Sequence, residues 1–101
     1  MPAYVLSEVE ILDERVADRY RPIAAASIAR YGGRYLVRGG TIDVIEGDWP
    51  SNKRVVIVEF PTMERARAWY GSAEYAEALE LRQTALNRRL IFVDGVPASA
   101  P

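Results

Sequence analysis

Residues 53–79, KRVVIVEFPTMERARAWYGSAEYAEAL, decide the fold. Val55 to Val58 and Phe60 form an almost unbroken apolar run, too dense for a strand on the surface. Phe60-Pro61 marks a sharp turn, and Thr62 is a helix N-cap, with Glu64 suited to the positive end of the helix dipole. Ala66, Trp69 and Tyr70 then fall on one helical face. Gly71 breaks the helix, and Ser72 restarts it with Tyr75, Ala76, Leu79, Gln83 and Leu86 turned inward. A carboxylate, Glu59, stands at the end of the strand that reads as most buried.

Working outward, residues 3–11 are β-rich and alternate, which predicts a strand with Val5, Ser7 and Val9 on one face and Tyr4, Leu6 and Glu8 on the other. Asp13 is an N-cap. The apolar positions Val16, Tyr20, Ile23, Ala24, Ile28 and Tyr31 recur three or four apart, the stripe of a helix. Pro22 predicts a kink there, or a short helix followed by a longer one. Gly32-Gly33 ends that helix. Residues 34–38 (RYLVR) read as a second strand that 41–46 (TIDVIE) continues, with a bulge at Gly39-Gly40. The Gly-Gly pair does not have phosphate-loop spacing. Residues 47–52 form a turn, and 88–96 (RRLIFVDGV) the last strand.

The order is β-α-β-β-α-β, so the expected class is α+β: a ferredoxin-like antiparallel four-stranded sheet with two helices on one face. Residues 1–96 make one domain and 97–101 a loose tail. Two helices cover one side of such a sheet. The other side carries Tyr4, Leu6, Leu36, Val55 and Ile57, too apolar to leave in water, which predicts a homodimer closed over that side.

Composition narrows the chemistry. There is no cysteine and no histidine among 101 residues. That excludes disulfides, Cys/His zinc sites, thiolate nucleophiles, Ser-His-Asp triads and histidine-ligated haem. Any acid–base work falls to Asp, Glu, Tyr, Lys53 or a bound cofactor. No acidic cluster has metal-ligand spacing, and the expectation is neither metal nor cofactor. A net charge of −1 provides no basic footprint for nucleic acid. RNA-recognition modules share this element order but display aromatics on the open sheet face, where this chain has Val55, Ile57 and Glu59. The first residues lack a signal-peptide pattern and no apolar run is long enough to span a bilayer, so the expected location is the cytoplasm.

The strings YGGRYLVRGG at 31–40, EGDW at 46–49, VVIVEFP at 55–61, and the Trp69-Tyr70, Gly71-Ser72, Tyr75 and Arg82 pattern resemble domain-of-unknown-function family 1330 over nearly the whole chain. The resemblance implies a dimeric α/β barrel. The wider superfamily includes cofactor-independent quinol monooxygenases, muconolactone isomerases, haem-degrading enzymes and chlorite dismutases. The haem branches usually use histidine, which is absent here.

The candidate catalytic pair is Arg38 with Glu59. An extra residue near Gly39-Gly40 would bring the two together at the sheet end, facing the dimer interior. There they form either a self-satisfied ion pair or a polar anchor, with Arg38 holding a carboxylate or enolate and Glu59 accepting a proton. Trp69, Tyr70 and Tyr75, joined by Tyr20, form either core or an aromatic wall for a flat ligand. Arg82 is either a solvated charge near the helix C-terminus or a second anion contact, and Glu8 either a surface carboxylate or a further cavity residue. The expected function is binding of a small, partly apolar organic anion by a homodimer acting as a cofactor-independent isomerase or oxygenase. The alternative is a non-catalytic structural or regulatory dimer.

Overall fold

The structure is a computed structural model describing residues 1–97. The expected tail therefore lies outside the described residues apart from Pro97. Four strands and three helices follow in the order β1 (Ala3–Ile11), α1 (Glu14–Arg30), β2 (Arg34–Arg38), β3 (Arg54–Phe60), α2 (Met63–Tyr70), α3 (Ala73–Ala85) and β4 (Leu86–Asp94). The strands lie in the order β2-β3-β1-β4, each antiparallel to its neighbour. This is the ferredoxin-like arrangement. The second helical segment is divided in two, so the helices number three rather than two.

Local chemistry accounts for the element boundaries. Asp13 Oδ1 accepts from the N–H groups of Arg15 and Val16 at 3.0 and 3.2 Å, satisfying donors at the start of α1. Thr62 Oγ1 does the same for Arg65 at 3.1 Å. Ser72 joins α2 to α3: its hydroxyl donates to the Trp69 carbonyl at 2.7 Å and accepts from the Tyr75 N–H at 3.1 Å. Pro22 does not divide α1, which runs unbroken from Glu14 to Arg30. Pro22 and Asp18 are exposed, so the Asp18 carbonyl that loses its partner is solvated, while Ala17, Ala24, Ser27 and Ile28 stay buried on the opposite stripe.

The core lies between the sheet and the helices, built on Val5, Val58, Phe60, Trp69 and Tyr75. Trp69 stacks between Phe60 and Tyr75, with ring centroids 5.3 and 4.3 Å away, and its indole N–H donates to Ser27 Oγ at 3.0 Å. Gly33 has no room for a side chain: a Cβ there would sit 2.7 Å from both Phe60 Cε1 and Ile28 Cγ2. On α3 the buried residues are Tyr75, Ala78 and Ala85. Ala76 and Gln83 are exposed, and Leu86 opens β4, because α3 turns Ala78 rather than Ala76 onto α1 and the sheet.

Residues 41–46 do not continue β2. The strand ends at Arg38, and residues 39–53 form an arm without regular structure that exposes Ile42, Val44 and Ile45. The Cα radius of gyration is 14.2 Å, against ~13 Å usual for a chain of this length. No described helix is long and apolar enough to cross a membrane.

Candidate functional site

The geometry of the site follows from one irregularity in β2. Tyr35 pairs with Val58 and Val37 with Ile57, leaving Leu36 as an extra residue, and Arg38 then pairs with Val56. Side chains alternate along a strand, so one extra residue turns every later side chain to the other face. The bulge thus lies at Leu36, ahead of Gly39-Gly40. It moves Arg38 onto the helix side of the sheet, with Val56 and Val58.

The expected pairing of Arg38 with Glu59 is therefore not formed. Glu59 lies on the open face, where its register partner is Arg34, whose Nε donates to Glu59 Oε1 at 2.8 Å. That hydrogen bond, together with one from Tyr4, holds the Glu59 carboxyl below its ordinary range. Glu8 is on the same face and accepts from Arg89 at 2.8 Å, which lowers its pKa in turn.

Where Arg38 does point, the sheet and α1 enclose a cavity of about 230 Å³. This hollow lies within one subunit, between sheet and helices. Val5, Val9, Val56, Val58 and Leu90 give it an apolar floor, with Ser7 among them. Tyr20, Tyr35 and Trp69 supply aromatic lining, and Arg21, Arg38, Arg54 and Arg88 supply charge. No Asp or Glu among the described residues lines it.

Arg88 is held deepest in the hydrogen-bond network. Its Nη1 donates to the Tyr20 hydroxyl at 2.8 Å and its Nη2 to the Tyr75 hydroxyl at 2.9 Å, while the two hydroxyls are 2.7 Å apart. Burial pushes the Tyr75 phenol well above its ordinary pKa, so it stays neutral. Burial raises Tyr35 as well. The Arg88 guanidinium is thus satisfied by neutral oxygens and keeps its whole charge. At the mouth, the Arg38 guanidinium lies over the Tyr35 ring, 4.3 Å from its centroid. Arg21 is neutralised by Glu14 and Asp18.

Of the residues anticipated from sequence, Tyr20, Trp69 and Arg38 line the cavity. Tyr75 stands behind Tyr20 and Arg88 as a fully buried support. Tyr70 is 38% exposed and packs edge-on against Trp69 and Phe92. Arg82 is half-buried on α3 and outside the lining, and Glu8 and Glu59 are on the far side of the sheet. Arg54, Arg88 and Tyr35 escaped the sequence reading. Their signal was present: Arg54-Val56-Val58 and Leu86-Arg88-Leu90 place an arginine among inward-facing apolar positions.

A sequence model of the family described as "Domain of unknown function (DUF1330)" matches residues 2–96. Among solved structures, a protein of unknown function from Rhodopseudomonas palustris is similar, with 20% identity and a TM-score of 0.77 over 94% of this chain and 82% of that one. SnoaB, a cofactor-independent oxygenase from Streptomyces nogalater, is 12% identical with a TM-score of 0.67, over 99% of this chain and 98% of that one. A dimeric protein of unknown function with a ferredoxin-like fold from Bacteroides fragilis is 9% identical with a TM-score of 0.63, over 93% and 96%. At these identities the likeness is one of fold. No curated protein is significantly similar to this chain.

Proposed function

The chain belongs to the DUF1330 family, whose description carries no reaction, and we propose from its site that it is a homodimer in which each subunit binds a small, partly apolar organic anion. One observation carries this reading. Arg38, Arg54 and Arg88 converge on an apolar cavity whose lining, among the described residues, contains no carboxylate. Arg88 is the partly buried one of the three, and a charge held there beside apolar surface is stabilised by an opposite charge, which the ligand supplies.

The chemistry that fits is stabilisation of an oxyanion. Guanidinium and phenol donors in a site of low dielectric favour an enolate or phenolate over its neutral parent. An enolate so held is reprotonated at a second carbon, which is an isomerisation. Alternatively its carbanion combines with O2, and after protonation the hydroperoxide loses water to leave a carbonyl, which is an oxygenation. The similarity in fold to a cofactor-independent oxygenase supports the second of these.

Calorimetric titration against phenols, quinols, lactones and aromatic carboxylates tests the binding. Saturable binding that falls at least ~10-fold in Arg88→Met is expected, since a charge-assisted hydrogen bond is worth about 1.5–3 kcal/mol. Absence of saturable binding by the wild type refutes the proposal. Oxygen uptake and product analysis then address turnover. Among the described residues the lining has no carboxylate to take a proton, and this favours a second reading, a non-catalytic structural or regulatory dimer. Recovery of every bound compound unchanged after aerobic incubation would decide for that alternative.

A further inference from the structure

The arrangement of the cavity arginines carries information about the ligand beyond its sign. Val9 on β1 pairs with Arg54 on β3 and with Arg88 on β4, so the two arginines stand in one row, on the same face, either side of Val9. Neighbouring strands lie about 4.8 Å apart, which separates the two Cα atoms by roughly 10 Å. Arg38 pairs with Val56, two residues from Arg54 on the same face of β3, so Arg38 and Arg54 are diagonal neighbours. The Arg54 side chain lies beside Gly39 of the adjoining segment, within ordinary van der Waals reach.

Like charges at such spacing repel, and elsewhere this sheet relieves the repulsion. On the open face Arg34 has Glu59 and Arg89 has Glu8. At the cavity itself Arg21 has Glu14 and Asp18. Among the described residues, Arg38, Arg54 and Arg88 form no ion pair. Arg88 commits one N–H from each of two nitrogens to phenols, which leaves three of its five donors. A singly charged ligand held at Arg88 leaves the exposed pair at the mouth with water alone, whereas a second anionic group would pair with it.

Accepting that the cavity binds an anion, we infer that its ligand is a dianion with a short apolar body, one anionic group held at Arg88 inside and the other at Arg38 and Arg54 at the mouth. The cavity volume equals about eight waters at liquid density, room for one ring or a short chain. The aromatic lining favours a ring.

Calorimetry on the full chain with benzoate and the 1,2-, 1,3- and 1,4-benzenedicarboxylates separates the cases. We expect one dicarboxylate to bind at least 10-fold more tightly than benzoate. Arg38→Met and Arg54→Met, both at exposed positions, should each weaken that dicarboxylate by a larger factor than they weaken benzoate, bringing the two affinities together. Arg88→Met should weaken both ligands. Equal affinity of benzoate and every dicarboxylate for the wild type, lost in Arg88→Met, overturns the dianion and leaves the anion cavity standing. No saturable binding by any of the four acids overturns both. A shift in oligomeric state in Arg38→Met or Arg54→Met, with dicarboxylate affinity unaltered, assigns those arginines to a subunit contact and also overturns the inference.

Discussion

Two residues hold the site in shape without touching a ligand. Tyr75 bridges α3 to Arg88 and Tyr20. Tyr75→Phe removes one hydroxyl and leaves an Arg88 donor and the Tyr20 hydroxyl short of a partner. The expected loss is about 1–3 kcal/mol in the urea unfolding free energy, the usual cost of a buried polar group stripped of its partner. Gly33→Ala drives a methyl into the Phe60 ring and Ile28. Overpacking of that kind costs about 1–3 kcal/mol, read as a lower unfolding midpoint. Glu8 and Glu59 govern the acid side. Their folded pKa values are lowered by Arg89 and Arg34 respectively, so the stability they contribute is present above the unfolded value of about 4.3 and is lost as pH falls through the folded values. Denaturant midpoints measured from pH 7 to pH 3 should drop below pH ~4.5, and the drop should be shallower in Glu59→Gln.

At the scale of the element, β2 carries the decision. Tyr35 opposite Val58, Val37 opposite Ile57 and Arg38 opposite Val56 make a regular ladder once Leu36 is omitted. Deleting Leu36 should therefore leave Arg38 in the cavity, with anion affinity within about threefold of wild type. Inserting an alanine after Val37 instead carries Arg38 round to the Val55 side, and affinity should fall at least ~10-fold. Calorimetry on the two variants reads this directly. Strand composition revealed β2 and its irregular end. It did not locate the bulge, because local propensity is the same whether the extra residue falls at Leu36 or at the glycines; partner strand β3 sets that. The Arg38–Glu59 pairing came from placing the irregularity too late.

For the whole molecule, the open sheet face is the outstanding feature. Leu6 lies between Ile57 and Ile91 in one row across three strands, and Leu36, Ile91 and Val93 are 45%, 57% and 42% exposed. A second copy packed against that face is the dimer proposed above. Leu6→Lys places a charge at its centre and should cost about 2 kcal/mol or more, roughly 30-fold in dimer Kd. Sedimentation should then show monomer at concentrations where the wild type remains dimeric. A wild type that is already monomeric at micromolar concentration would defeat the dimer.

Much of this was written in local pattern. Alternation in residues 3–11 and the dense run before Phe60-Pro61 specify strands, and the stripe after Asp13 and the caps at Thr62 and Ser72 specify helices. These are short-range consequences of side-chain period and unsatisfied N–H groups, and the chain carries them without reference to anything distant. Which arginines meet is of another kind. Arg54 and Arg88 are neighbours because both flank Val9, and Arg38 joins them because a bulge is resolved against β3. Contacts between residues tens of positions apart depend on register and on which face the helices cover, and only the assembled sheet sets those.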